Sequence, residues 1–233
     1  MPFRGTDRSA RWRRALVGAA ALAGLSVTAG CGNTVDRTQT DQGPLTTAST
    51  GPKADPAESV PGIAATLPDR IPPNAAACVP PPGTGHQTPA TVSDEAAPRL
   101  TIAVPDGWTS APGSGDTALT ITGPDGMSAK VTISSTDLPP ESAFLRYTAG
   151  MGPGMARLKF SVSGTPFCGY SSQQLTMTVQ GPSGPISYAD RITHIWTNTK
   201  KYLVAVHLEG PGGAVGFNAA KATLMQQFTV VIP

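Results

Sequence analysis

The aromatic residues of this 233-residue chain are confined to one part of it, which limits where a packed core can form. Outside residues 1–30, all 11 Phe, Trp and Tyr fall within residues 98–233. Residues 32–97 contain none, although they hold 11 of the 24 prolines. Because a segment without large apolar side chains cannot bury enough surface to offset the entropy of ordering it, the sequence predicts one globular domain over residues 98–233.

A cationic start followed by a short apolar run marks residues 1–30 as a signal peptide. Residues 1–14 carry five arginines, and residues 15–29 consist of leucine, valine and small side chains. The apolar run is shorter than the roughly 20 residues that a membrane-spanning helix needs. This arrangement is typical of the cleaved leader of an exported protein.

The end of the leader, Thr28-Ala29-Gly30-Cys31, resembles the lipobox of bacterial lipoproteins. The resemblance implies cleavage between Gly30 and Cys31, a diacylglyceryl group on the Cys31 thiol and an N-acyl group on its new amine. Two or three acyl chains hold a protein stably, since each buried methylene contributes about 0.8 kcal/mol. We predict a lipid anchor at Cys31, on the extracytoplasmic face of the cell membrane. The alternative is a secretory signal cleaved elsewhere, with Cys31 there by chance.

The charge distribution excludes one class of partner. The whole chain has a formal charge of +2, but outside residues 1–30 it holds 12 basic and 14 acidic residues. A nucleic-acid-binding domain neutralises phosphates with clustered Lys and Arg, so we predict no nucleic-acid partner. The predicted partner is instead the lipid membrane, reached through the acyl chains on Cys31.

Residues 31–65 are predicted to be a flexible tether, because they are rich in Thr, Pro and Gly. About 35 extended residues reach on the order of 100 Å, enough to carry a domain away from the bilayer. Residues 66–97 form a second Pro-rich segment. We predict that this segment is fixed to the domain by a disulfide bond.

The disulfide prediction rests on Cys78 and Cys168, an even pair in an exported chain. A bond between them would close a loop of about 90 residues, which corresponds to about 4 kcal/mol of stabilisation in the chain-entropy description. Two unpaired thiols, or a redox pair, are the alternative. The sequence lacks the Cys-x-x-Cys spacing that usually accompanies redox chemistry.

Alternating apolar residues and turn signals predict an α+β domain, an antiparallel β-sheet with two helices packed on one side. The predicted strands are residues 99–104, 117–122, 128–134, 158–163, 174–180, 186–197, 202–208 and 228–232. One helix is predicted to begin at Pro139-Pro140, where proline suits a first turn, and another to cover residues 215–227.

Three short segments of the domain carry a family resemblance. They are Leu100-Thr-Ile-Ala-Val-Pro-Asp-Gly-Trp108, Gly169-Tyr170-Ser-Ser-Gln-Gln174-Leu175, and a C-terminal helix that runs into Thr229-Val-Val-Ile-Pro233. They are similar to the LpqN/LpqT-type lipoproteins of mycobacteria. The resemblance implies a Mog1/PsbP-like domain and a role in the cell envelope, either handling envelope lipid or contacting a membrane transporter; it carries over no catalytic residues. Extracellular sensor domains of mycobacterial Ser/Thr kinases are the alternative relatives.

No catalytic or metal-binding residues are predicted. A turn near Asn198 places His194 opposite Leu203, so that His194 and His207 lie roughly 13 Å apart and cannot share a metal. Most of the acidic residues are expected at turns or helix starts, where capping explains them. They are Asp94, Glu95, Asp125, Asp137, Glu141 and Asp190. We expect Lys200-Lys201, at a hairpin tip, to be a solvated turn rather than an anion site.

Met151, Met155 and Trp196 are the predicted residues of a ligand groove. Residues 150–155 form an apolar, Gly-rich loop after the first helix, and Met recurs at adaptable apolar sites. The alternative is an ordinary loop that places Met in the core. We predict a non-enzymatic protein, with no cofactor besides its covalent lipid, that binds envelope lipid or a membrane-protein partner. A sensory or accessory interaction module and an envelope hydrolase are the alternatives.

Overall fold

The computed structural model describes residues 60–66, 68–151 and 161–233. Within these ranges the chain forms eleven strands and two helices, which confirms the predicted α+β class. The strands are β1 Ala76–Cys78, β2 His86–Ala90, β3 Arg99–Val104, β4 Thr109–Pro112, β5 Thr117–Thr122, β6 Ser128–Ser135, β7 Ser161–Gly164, β8 Ser171–Gly181, β9 Gly184–Trp196, β10 Lys201–Pro211 and β11 Thr229–Val231. The helices are α1 Pro140–Gly150 and α2 Phe217–Leu224.

Several predictions concern residues outside the described ranges. These are the signal peptide 1–30, the lipidation residue Cys31, residues 31–59 of the tether, and Met155. The first three residues of the strand predicted over 158–163 also lie there, whereas its remainder is found in β7. No helix among the described residues is long and apolar enough to cross a membrane.

Two antiparallel sheets form, where the sequence predicted one. The larger has seven strands in the order β4-β5-β6-β10-β9-β8-β7, and the smaller has four in the order β1-β11-β3-β2. The smaller sheet draws β1 and β2 from the Pro-rich segment, 66–97, in which no strand was predicted. Pro89 is tolerated within β2 because this strand lies at a sheet edge, where one row of backbone groups needs no partner.

The hairpin of β9 and β10 has the predicted register. His194 lies opposite Leu203 in the ladder. Asn198 in the turn has a φ of 70°, a left-handed conformation that asparagine adopts more readily than most residues. The register determines which side chains of β9 and β10 share a face of the sheet. It therefore determines which of these residues can form a site.

The two helices lie on opposite faces of the seven-stranded sheet, so the prediction that both pack on one side was wrong. Val204 and Leu208 of β10 belong to the main core, together with Leu224 of α2. Ala205, which points the other way along the same strand, packs in a second cluster with Phe144 of α1. Because side chains alternate along a strand, both faces of the sheet carry apolar residues, and one helix packs on each face.

The Pro-rich segment is fixed to the domain, because Cys78 and Cys168 form the predicted disulfide with their Cα atoms 5.6 Å apart. Cys78 closes β1 and lies opposite Val230 of β11 in the sheet. Next to the bond, the rings of Phe167 and Phe228 pack with centroids 4.4 Å apart. The disulfide thus joins the smaller sheet to the loop that precedes β8.

Residues 61–64 are hydrogen-bonded to the start of β8. Gly62 accepts a hydrogen bond from the backbone N–H of Ser172 at 2.8 Å. The N–H of Ala64 donates to the hydroxyl of Ser171 at 2.9 Å, and the amide of Gln173 donates to the carbonyl of Pro61 at 2.8 Å. Residues 60–65, the last of the predicted tether, therefore lie along the start of β8.

Candidate functional site

One face of the seven-stranded sheet is only partly covered, which leaves a cavity of about 640 Å³ beside α1. The helix packs on this face through Phe144, which meets Leu175, Ile192 and Ala205 from three strands. The cavity lining is mixed. It combines polar side chains with apolar ones: Asp116, Lys130, Thr132, Ser134, Ser135, Thr136, Arg146, Tyr188 and His207, with Leu138, Ala143, Tyr147, Gly150, Met151 and Leu203.

Asp190 lies under this cavity with no solvent-exposed surface. Its Oδ1 atom accepts two hydrogen bonds, from the hydroxyl of Tyr147 at 2.6 Å and from Nδ1 of His207 at 2.7 Å. The expectation that Asp190 caps a turn was wrong, because it lies within β9 directly opposite His207 of β10. A buried carboxylate needs such partners, since an unpaired charge in the interior is costly.

The cluster formed by Tyr147, Asp190 and His207 sets the protonation of its members. Burial, reinforced by the charge of Asp190, raises the pKa of Tyr147, which therefore remains a hydrogen-bond donor. Burial alone would lower the pKa of His207. The hydrogen bond and the negative charge of Asp190 outweigh that effect, and the pKa of His207 is raised.

The outer nitrogen of His207 faces a second carboxylate. Its Nε2 atom lies 3.9 Å from Oε2 of Glu209, and its ring centroid lies 5.7 Å from that of Tyr188. Because Nδ1 donates to Asp190, Nε2 is the nitrogen left for protonation or for contact with a ligand. Asp190 and Tyr147 thus hold the imidazole in one orientation at the edge of the cavity.

His194 has a structural environment. Only 3% of its surface is exposed, and Nε2 lies 3.0 Å from the carbonyl oxygen of Leu138, which requires the ring to donate this bond. Burial lowers the pKa of His194. The observed register keeps His194 and His207 four positions apart, as predicted. In the described ranges no three His, Cys, Asp or Glu residues are placed to hold a metal ion.

A second cavity of about 640 Å³ adjoins the first, at the hairpin of β9 and β10. The two cavities share part of their lining, which comprises Ser135, Thr136, Leu138 and Arg146. The second is completed by Asp137, Trp196, Thr199, Lys200 and Lys201. Arg146 of α1 therefore lies at the junction of the two spaces.

The predicted groove residues do not meet in one place. Met151, at the C-terminal end of α1, lines the first cavity, whereas Trp196 lines the second. Met151 also packs against the apolar cluster under α1, in line with the alternative that a methionine here contributes to the core. The first cavity has a mixed lining and the second a mainly polar one, so neither is the apolar groove that the sequence suggested.

The cluster of Tyr147, Asp190 and His207 was missed in the sequence, although a signal for it was present. The register that places residue 194 opposite 203 also places Asp190 opposite His207. A carboxylate paired with a histidine across two strands is a candidate site in its own right. The contribution of Tyr147 had no comparable signal, because it depends on which sheet face α1 covers.

The arrangement can bind polar groups, and it holds one part of an acid–base apparatus. An imidazole whose pKa is raised, a guanidinium and several hydroxyls face the same cavity. Among the described residues, no Ser, Thr or Cys side chain is hydrogen-bonded to His207, whose partners are the carboxylates of Asp190 and Glu209. The nucleophile that would complete a hydrolytic triad is therefore not in place in this part of the chain.

Comparison with known proteins gives a distant structural similarity. No family model matches the chain, and no curated protein matches it. The chain is similar to a solved structure described as LpqN involved in cell envelope biogenesis of Mycobacterium tuberculosis. The TM-score is 0.48 at 18% sequence identity, over 63% of this chain and 91% of LpqN. No family assignment follows from these values.

Proposed function

We propose that this chain is an extracytoplasmic lipoprotein, anchored in the cell membrane through Cys31, whose domain binds the polar part of an envelope lipid beside α1. The observation that carries the binding proposal is the first cavity, with the charged and hydroxyl side chains in its lining and its oriented His207. The anchor and the location rest on the resemblance of residues 28–31 to a lipobox. The Mog1/PsbP-like fold and the relation to LpqN/LpqT-type lipoproteins belong to the same proposal.

The cavity favours a headgroup over an acyl chain. Acyl chains are held by apolar walls, but Leu175, Ile192 and Ala205 of this sheet face are buried under Phe144 and do not line the cavity. Thr132, Ser134 and Arg146 present hydroxyl and guanidinium groups to it. Groups of this kind fix the orientation of a polar ligand through hydrogen bonds. The acyl chains of a bound lipid would then remain outside the cavity.

Native mass spectrometry of the protein purified from its own host tests the binding proposal. We expect a lipid to remain attached to the wild-type domain, in addition to the covalent lipid on Cys31. Ser134→Trp places a large ring in the cavity and should abolish this attachment. Thr178→Trp, at an exposed position of β8 outside the cavity lining, is the matched control and should retain the lipid. An empty wild-type domain, or retention by Ser134→Trp, contradicts the proposal.

A hydrolase is the second candidate, because the pairing of Asp190 with His207 is also an acid–base arrangement. Its weakness is the missing nucleophile among the described residues. Ester and glycoside panels with the wild type and with His207→Asn decide between the two. Binding without conversion predicts no turnover by either protein, whereas turnover that disappears in His207→Asn would establish the enzyme.

A further inference from the structure

We propose that the second cavity, at the hairpin of β9 and β10, is an anion site that takes the phosphate group of a phosphate ester. The proposal goes beyond the lipid-binding function and does not depend on it. Arg146 and Lys201 are the principal ligands, with Lys200 and the hydroxyls of Ser135 and Thr199 around them.

The distribution of charge supports an anion. The described residues carry eight Lys and Arg and ten Asp and Glu, so this part of the chain is acidic. Three of the eight basic residues line the second cavity, whereas Asp137 is the single acidic residue in its lining. A concave surface with an excess of one charge raises the local concentration of ions of the opposite sign.

The fold brings these cations together from separate elements. Arg146 lies on α1, Lys201 is the first residue of β10, and Lys200 lies in the turn before it. The N–H of Thr136, just after β6, donates to the carbonyl of Lys201, and the N–H of Thr197 closes the turn on the carbonyl of Lys200, each at 2.9 Å. The cations are therefore fixed to anchored backbone rather than to a free loop tip.

Two of these cations have no internal carboxylate partner in the described ranges. Lys200 pairs with Asp94 at 3.1 Å, but both side chains are well exposed, and such a pair is weak. For Lys201 and Arg146, no carboxylate oxygen of the described residues lies within 4.0 Å. Lys201 is half-buried and lines the cavity. These two side chains can therefore pair with a ligand without first breaking an internal ion pair.

The chemistry and the size point to an esterified phosphate. A guanidinium binds two phosphate oxygens at once, and an ammonium adds a point charge. A cavity of about 640 Å³ is much larger than inorganic phosphate, and it shares Arg146 with the lining of the first cavity. The organic part of the ester would occupy this remaining space. A lipid headgroup and a soluble phosphate ester share this chemistry.

NMR titration of the full chain carrying Cys31→Ser tests the site, with inorganic phosphate and glycerol 3-phosphate as probes. We expect amide shifts concentrated at residues 199–201 and tighter binding of the ester. Arg146→Gln and Lys201→Gln should each weaken binding roughly tenfold, as expected for the loss of a charge-assisted hydrogen bond. Lys221→Gln, on α2 at the opposite sheet face, is the matched control and should bind like the parent chain. Equal affinity of all variants, or shifts elsewhere, overturns the proposal.

Vesicles distinguish the two sources of the ester. If the ligand is a lipid headgroup, the same chain should sediment with phosphatidylglycerol vesicles but not with phosphatidylcholine vesicles, and Arg146→Gln should reduce the bound fraction. If the ligand is a soluble ester, the chain should bind glycerol 3-phosphate but should not sediment with either kind of vesicle. If the chain binds none of these probes, the anion site is refuted. The lipid proposal for the first cavity is tested separately, by native mass spectrometry.

Discussion

Asp190 and Arg191 are consecutive in the sequence, charged and buried, yet they do not pair with each other. They point to opposite faces of β9, as strand geometry requires. Asp190 accepts hydrogen bonds from Tyr147 and His207 at Oδ1, whereas its buried Oδ2 has no partner among the described residues. Arg191 donates through Nε to the carbonyl of Met225 at 2.6 Å and lies 5.3 Å from the ring centroid of Phe167. One charge thus serves the candidate site, and the other ties the end of α2 to the sheet.

Replacing Asp190 with Asn should lower the pKa of His207 relative to the wild type. In the wild type the carboxylate raises this pKa above its ordinary value of 6.5, against the effect of burial. Without the negative charge, burial is no longer outweighed, and the pKa should fall below that of the wild type. Titration of the histidine ring signals by NMR measures the change. A pKa for His207 that is the same in both proteins would show that Asp190 does not control it.

Because His194 is buried, the protein should become less stable toward unfolding in acid. Burial lowers the pKa of His194, so the unfolded chain binds a proton more readily than the folded one. The stabilising contribution of neutral His194 is present above pH 6.5 and is lost as pH falls through the folded-state pKa. The raised pKa of His207 acts in the opposite direction: its contribution is complete below pH 6.5 and is lost as pH rises. Chemical denaturation of His194→Gln at pH 7.5 and pH 5 should show a smaller acid-induced decrease than the wild type; an equal decrease contradicts this account.

The element that defines the first cavity is α1, and its attachment depends on few residues. Phe144 is 2% exposed and meets residues of β8, β9 and β10, whereas the next residue, Leu145, is 64% exposed. Phe144→Ala should therefore lower the free energy of unfolding by about 3 kcal/mol or more. Leu145→Ala is the matched control on the same helix and should change it by at most about 0.5 kcal/mol. Urea denaturation measures both, and similar costs for the two variants would show that α1 is not held as described.

The predicted strands cover eight of the eleven strands among the described residues, and β1, β2 and β4 were missed. Strands with alternating apolar residues, such as β3 and β10, were predicted within a few residues of their bounds. By contrast, β4 was missed because all four of its residues are exposed and give no alternation. β1 and β2 were missed since they lie among prolines and are stabilised by pairing with distant strands. Pairing of this kind is tertiary information that local periodicity does not contain.

The candidate site was predictable in part. The hairpin register placed Asp190 opposite His207, so the pair was already contained in the sequence reasoning. The cavity itself was not predictable, because it depends on α1 covering one sheet face while α2 covers the other. Periodicity shows which side of a helix is apolar, but not which surface that side will meet.

At the scale of the whole molecule, the disulfide joins a segment with little apolar surface to the domain. Because the bond between Cys78 and Cys168 closes a loop of about 90 residues, Cys78→Ser should lower the free energy of unfolding by about 4 kcal/mol. Denaturant unfolding with and without reductant measures this cost, and reductant should destabilise the wild type by a similar amount. Cys31→Ser removes the third cysteine and is the matched control, which should leave domain stability unchanged. Insensitivity of the wild type to reductant would contradict the structural role of the bond.

The central claim is that the space between α1 and the seven-stranded sheet receives the headgroup of an envelope lipid. Isotope-filtered NOEs between ¹³C-labelled protein and unlabelled lipid extracted from the host envelope locate that contact directly. The account predicts NOEs from headgroup protons to Thr132, Ser134 and Tyr188, which line the first cavity. NOEs confined to the α2 face of the sheet, or none to these three residues in a lipid-bound sample, would contradict it.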